Sequence, residues 1–285
     1  WQMRILYPAA KVEMGFSTTR DSGIRTPYDL KPGVRLIYAA WLPEREAKLA
    51  LRALLAWAKL KDTDVEWVPA ANMGALTRLL MDGKGDVLFG QHPTSPAMYE
   101  VESSPRGLAW INLDAQADPE GAKRFLEVYD EVGFGPITSG VPSAVGTKGI
   151  VGISHYTCSA DLNTDLVYNL VKWLHVNWEK YRKAHPWCES MTIELLLNGA
   201  ETDYVPLHDG AVRYLRELGK WTPAHETRRQ QNISLLTKYV DAYQATIRKA
   251  DERGVTVSPE NKEWLEMWAK ARAELPPIRP YMGLS

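Results

Sequence analysis

The side chains able to do covalent chemistry are few and poorly spaced for it. Ser154 stands next to His155, but neighbours on a strand point to opposite faces, so the two do not form a nucleophile and base directly. The pattern Gly-x-Ser-x-Gly does not occur. His175 and His185 do not share a helical face, and His92 and His208 stand alone, so no pair has metal-ligand spacing. Cys158 and Cys188 also lack a Cys or His at ligand spacing. For them a disulfide and two buried free thiols stay open, and the thiol reading fits the behaviour of free Cys as a small hydrophobe. Gly133-Phe-Gly135 is too short for a dinucleotide fingerprint. Glu44 and Glu46 diverge on a helix and suit its N-terminal dipole better than acid and base work. Trp264 and Trp268, four apart, suit packing. The pattern speaks for binding without catalysis, metal or cofactor.

Two loops carry the better binding chemistry. In Ala40-Trp41-Leu42-Pro43, backbone N–H groups at a helix start can accept an anion and an exposed indole can wall a pocket. In Gln91-His92-Pro93-Thr94, polar groups can hydrogen-bond a small solute. The candidate ligand-binding residues are therefore Ala40, Trp41, Gln91, His92 and Thr94.

The elements that position these loops follow from periodicity. Val34–Ala39 is a short apolar run after the turn Lys31-Pro-Gly33 and reads as a buried strand. A helix begins after Pro43, with Ala47, Leu51, Leu54, Leu55 and Ala58 as its apolar stripe. Val65–Pro69 reads as the next strand, Asn72 as the cap of a helix reaching Met81, and Asp86–Gly90 as a third strand. Alternating strands and helices imply right-handed crossovers and a mostly parallel sheet, whose ligands bind beyond the carboxyl ends of the strands. Both loops lie at such ends.

A further unit runs from Gly107–Leu113 through a helix over Pro119–Val132. Gly133–Pro142 then strings together Gly and Pro as neither a helix nor a central strand tolerates, which places the end of a lobe there. Gly149–Thr157 reads as a strand crossing to another lobe. Asn163 or Thr164 caps a helix carrying Leu166, Val167, Leu170, Val171, Leu174 and Trp178 on one side, and a second helix follows Pro186. Residues 224–252 and 259–273 read as two amphipathic helices parted by Arg253-Gly254, and Leu275–Pro280 forbids more helix.

The most distinctive stretch is Val205–Gly219, a loop leading into a short helix. Pro206 precedes it, His208 to Gly210 suit its start, Ala211, Tyr214, Leu215 and Leu218 recur at helical spacing, and Gly219 ends it. Its Pro-Leu-His-x-Gly-Ala-x-Arg-Tyr-x-x-Glu-x-Gly resembles the signature of TAXI-type TRAP transporter solute-binding proteins. Asp21-Ser-Gly-Ile24, Tyr28–Arg35 and Asp86–Gly90 extend the resemblance in order over residues 1–221. It implies an α/β, periplasmic-binding-protein-like (type II) two-lobed fold with parallel-rich sheets, an incomplete first lobe and a C-terminal helical extension. In these terms residues 1–16 are a remnant of the first lobe and crossover, 17–144 a complete α/β lobe (the second), 145–221 a mainly helical return to the first lobe, and 222–285 the extension. The family carries further N-terminal residues that build most of the first lobe, so the chain, starting at Trp1, is expected to enter the fold partway.

The resemblance further implies a periplasmic receptor that closes its cleft on a small organic acid or amino-acid-like solute and delivers it to a TRAP-type membrane permease. The family's Gly-Ser-Gly-Thr-like turn is replaced here by Ala40-Trp41-Leu42-Pro43, which points to a different ligand from the amino acids and dicarboxylates associated with the family. His208 and Asp209 read as helix-start structure. Alternatives from other classes are an enzyme on the same fold and an interaction module using Tyr239, Trp264 and Trp268. Composition narrows the field: 285 residues, 45% hydrophobic, support a sizeable core, and a net charge of -1 argues against a nucleic-acid partner. No apolar run is long enough to span a bilayer, and the first residues lack the pattern of a secretory signal.

Overall fold

A computed structural model of the protein describes residues 2–130 and 132–278. The described residues divide into two compact units, one within 11–152 and one of residues 2–10 with 153–278, and the boundaries fall inside two long strands, β1 (Met3–Met14) and β8 (Lys148–Ser159). The class is α/β, as expected.

The first unit is built on a five-stranded mixed sheet. Its strands are β2 (Phe16–Thr18), β3 (Arg35–Ala39), β4 (Glu66–Ala70), β5 (Val87–Leu88) and β6 (Ala109–Ile111), in the order β4-β3-β5-β2-β6. β3 runs parallel to β4 and β5, whereas β2 runs antiparallel to β5 and β6. Alternation along the strands sorts the core. Leu36, Val87 and Ile111 face a layer that includes α1 (Glu44–Ala58) and α4 (Pro119–Leu126), while Ile37, Leu88 and Trp110 face α2 (Met73–Met81) and α3 (Pro96–Ser103). Such continuous apolar strands suit a sheet covered on both faces. Arg35 fixes the start of β3 to Asp86 before β5, through Nε–Oδ2 at 3.0 Å and Nη2–Oδ1 at 2.6 Å.

One expectation is met in detail and one needs correction. Gly133–Pro136 is a strand, β7, pairing antiparallel with β8 from Gly133–Val151 to Pro136–Lys148. It lies at the edge of the β1-β8-β7 sheet, in keeping with a Gly and Pro run that suits neither a helix nor a central strand. The helix expected over Pro119–Val132 stops at Leu126, and Glu131 lies outside the described residues.

The second unit is mainly helical. Its elements are α5 (Thr164–Val176), α6 (Trp178–Tyr181), α7 (Ile193–Thr202), α8 (Asp209–Glu217), α9 (Pro223–Glu252) and α10 (Lys262–Ala273). Asn163 caps α5 by accepting from the Leu166 N–H at 2.9 Å. α5 packs on α8 so closely that a Cβ on Gly210 would sit 2.6 Å from both Thr164 O and Tyr168 N. Ile5 of β1 lies beside this pair, donating to Pro206 O at 3.0 Å and accepting from His208 N at 2.9 Å.

The core side of α5 is narrower than its periodicity suggests. Val167 and Val171 are buried, but Leu166 and Leu170 are exposed, so only part of the expected stripe faces the core. Pro186 opens a 3-10 turn over Pro186–Ser190, and α7 starts only at Ile193, capped by Thr192. α9 and α10 form a hairpin around Trp264, Ala250 and Val255. Arg279 and Pro280 of the expected terminal break lie outside the described residues. Cys158 and Cys188 are free thiols. Among the described residues, no helix is long and apolar enough to cross a membrane.

Candidate functional site

Because β3 pairs in parallel with both β4 and β5, the three strands end at one edge of the sheet. Each feeds a helix there: residues 40–43 lead into α1, 71–72 into α2 and 89–95 into α3. The sequence-predicted loops are thus neighbours within one unit. Ala40 N donates to Ala70 O at 3.0 Å, carrying the β3–β4 ladder one step into the loop. Asn72 Oδ1 accepts from Ala75 N at 3.0 Å and caps α2. α1 and α3 have no side-chain cap, so first-turn N–H groups of α1 stay open to a ligand or to water.

The side chains at this edge play different parts from those that type alone suggests. Gln91 is buried and spends its amide internally, Nε2 donating to Met73 O at 3.1 Å and Oε1 accepting from Ser95 Oγ at 3.2 Å. It ties the start of α2 to the loop after β5. His92 Nδ1 lies 2.8 Å from Thr94 Oγ1 and accepts from Thr94 N at 3.3 Å, which folds this loop on itself. Gly90 turns the chain out of β5 at φ 112°, a value that favours glycine. Trp41, in contrast, is 40% exposed, and it is joined by Leu42 and by Met73, which the sequence reading missed. Met73 carried no motif signal; only the strand order shows that the start of α2 shares the edge.

A second loop, residues 137–144, buttresses the first. Val141 N donates to Pro93 O at 3.0 Å. Thr138 is held by Glu13, whose Oε2 accepts from Thr138 N at 2.7 Å and whose Oε1 accepts from Thr138 Oγ1 at 2.6 Å. Burial pushes the Glu13 carboxyl up, but the bonds from Lys11 and Thr138 outweigh it and hold the group below the usual carboxylate range. Gly140 sits at φ 115°, where a Cβ would come within 2.5 Å of the Pro93 carbonyl carbon. Glu13 and Gly140 thus support the candidate loop; the string of Gly and Pro was the trace of Gly140 in the sequence, and Glu13 left none.

The Val205–Gly219 stretch is spent on structure. His208 caps α8, its Nδ1 accepting from Gly210 N at 3.1 Å, and burial lowers its pKa, which favours the neutral ring. Asp209 pairs with Arg229 of α9, and Arg229 Nε donates to Leu207 O at 2.9 Å. His155 reaches Asp203, its Nε2 3.2 Å from Oδ2, so its partner is a carboxylate rather than the adjacent Ser154. Among the described residues, no group of three or more His, Cys, Asp or Glu is placed to hold a metal ion. A recess of about 850 Å³ runs along α9, lined by Glu226, Gln230, Leu235, Lys238 and Pro276 among others. It is a shallow groove open to solvent, without the converging loops of the sheet edge.

Comparison with known proteins places this geometry in a family. The model of the NMT1-like family matches residues 4–219, more than half of the chain. No curated protein matches in sequence. Among solved structures, the chain is similar to the probable amino-acid ABC transporter extracellular-binding protein YtmK of Bacillus subtilis, at 13% identity and TM-score 0.34, over 62% of this chain and 60% of that one. It is also similar to the periplasmic aliphatic sulphonate binding protein SsuA of Escherichia coli, at 18% identity and TM-score 0.28, over 46% of this chain and 48% of that one. The matched region therefore spans less than two thirds of either protein.

Proposed function

The chain belongs to the NMT1-like family, and from that premise we propose that it is a receptor for a small organic solute, bound at the shared edge of β3, β4 and β5. The observation that carries the reading is the convergence of three strand ends and three helix starts at that edge, the position at which open α/β sheets take ligands. Ala40, Trp41, Gln91, His92 and Thr94 form the site. In this reading Trp41 touches the solute, Ala40 begins the loop that leads into the uncapped start of α1, and Gln91, His92 and Thr94 shape the facing loop.

The finer features rest on the resemblance to TAXI-type receptors. They are delivery to a TRAP-type membrane permease, a periplasmic location and closure of two lobes on the solute, with closure driven by the extra contacts that a bound solute makes in the closed state. Residues 17–144 then form the complete lobe, 1–16 and 145–221 belong to the incomplete one, and 222–285 are an extension, of which 279–285 lie outside the described residues. Native mass spectrometry of the intact protein, purified without denaturation, tests the receptor reading. A retained small molecule whose removal lowers the melting temperature, and whose return restores it, is the expected result. Failure of every member of a broad metabolite library to bind overturns it.

A further inference from the structure

The side chains at the edge of β3, β4 and β5 fall into two groups. The polar ones are engaged within the protein: Gln91 with Met73 O and Ser95, Asn72 with the start of α2, and His92 with Thr94. The large apolar ones face solvent: Trp41 is 40%, Leu42 45% and Met73 49% exposed. A single exposed apolar residue is ordinary, but here three lie in the loops that leave two adjacent strands at one edge, the setting in which exposed apolar area marks a binding surface. Trp41 and Leu42 follow β3 directly, and Met73 follows β4, whose Ala70 pairs with Ala39.

The charges beside this patch do not select an anion. Glu44, Arg45 and Glu46 occupy the first turn of α1, and Lys48 one turn on bonds Glu44 Oε1 at 3.1 Å, so the four formal charges cancel. Arg52 also reaches Glu44, at 3.3 Å. The acidic pair further opposes the attraction that the uncapped start of α1 would exert on a carboxylate.

We propose that the site selects an uncharged solute with a flat aromatic body, seated on Trp41, Leu42 and Met73, over a short dicarboxylate or an acidic amino acid. The proposal rests on the receptor reading above. Trp41 supplies a π face for stacking, Met73 a polarizable thioether that adapts to a ring edge, and Leu42 apolar area beside them. The open first-turn N–H groups of α1 can each donate to a neutral carbonyl or ring nitrogen without a counter-charge.

Isothermal titration of the intact protein with indole, benzamide and nicotinamide, set against succinate, glutarate and glutamate, tests the assignment. The expected result is binding of one or more of the neutral aromatic probes, no measurable heat with the three acids, and affinity that does not fall with added salt. Trp41→Ala and Met73→Ala should each weaken the aromatic probe by at least about tenfold, with the cooperative melting transition retained because neither side chain belongs to a core cluster. Tighter binding of any of the acids, or equal affinity of an aromatic probe for parent and both variants, overturns the proposal and leaves the receptor reading standing. If none of the six probes binds while a library screen finds another solute of acidic character, the ligand class alone is wrong. If no small molecule binds at all, the receptor reading falls with it.

Discussion

Replacement of Gly140 by alanine should disturb the candidate loop without replacing any of its residues. Gly140 has φ 115°, and an added Cβ would lie 2.5 Å from the Pro93 carbonyl carbon and 2.6 Å from both Pro93 O and Pro93 Cβ. Carbon atoms in contact sit about 3.5–4.0 Å apart, so roughly 1 Å of separation must open between the two loops. The atoms in the way are mostly backbone, and no rotamer change clears them. Holding a non-glycine residue in this region of backbone space costs about 1–3 kcal/mol. The Val141 N to Pro93 O bond, 3.0 Å in the native loop, is stretched or lost as the loops part, at a further cost of about 1 kcal/mol. Gly140→Ala should therefore lose about 2–4 kcal/mol in urea denaturation. Hydrogen exchange should rise most in residues 91–95 and 137–144. Gly152→Ala is the control, since a Cβ there meets nothing within 4 Å. If Gly140→Ala matches the parent within about 0.5 kcal/mol, as a neutral surface change would, the buttressing argument is wrong.

Other outcomes follow from the same contacts. Asn72→Ala should cost about 1 kcal/mol by removing the α2 cap, while Asn72→Asp keeps it; equal losses in denaturant titrations of the two variants would remove capping as the cause. Burial raises the Asp86 carboxyl, but the bonds from the Arg35 side chain and backbone win and hold it below the usual range. A depressed native pKa contributes stability that is fully present above the unfolded value of about 3.9 and is lost as pH falls through the native one. Glu13 acts in the same sense. Asp86→Asn should thus lower stability at pH 7 and flatten the loss of stability below about pH 4, and an unchanged acid limb in pH-dependent denaturation would refute this. Trp264→Ala removes the centre of the α9–α10 hairpin, a change worth about 3–5 kcal/mol of local packing. Hydrogen exchange should rise in α10 and in α9 near Ala250 while α5 and α8 keep their protection, and protection unchanged in α10 would count against a hairpin held by this residue.

Much of the fold was legible because its signals are local. Gly33 before β3, Asn72 before α2, Asn163 before α5 and Gly219 after α8 each mark an element boundary by backbone chemistry that needs no distant partner. Where the reading strayed, the deciding fact was tertiary. Leu166 and Leu170 have the right spacing for a core stripe, yet α8 packs on the side of α5 that carries Val167 and Val171, where Gly210 admits the α5 backbone, which leaves those leucines outside. The end of α4 is decided in the same way, since the helix read over Pro119–Val132 stops at Leu126.

The site shows the sharper limit. Sequence identifies a loop after a strand and the residue types it offers, but hydrogen-bonding capacity belongs to a side chain only until the protein uses it. Gln91 has two donors and an acceptor by type, and in the fold both ends of its amide are committed to Met73 and Ser95. A polar loop on paper is thus a rigid support in space. The exposed surface passes to Trp41, Leu42 and Met73, the last of which joins them only because β4 lies beside β3. Residue type offered a polar loop beside an exposed indole and left the balance between them open; the partners that Gln91, His92 and Thr94 have already taken tip it toward an apolar ligand.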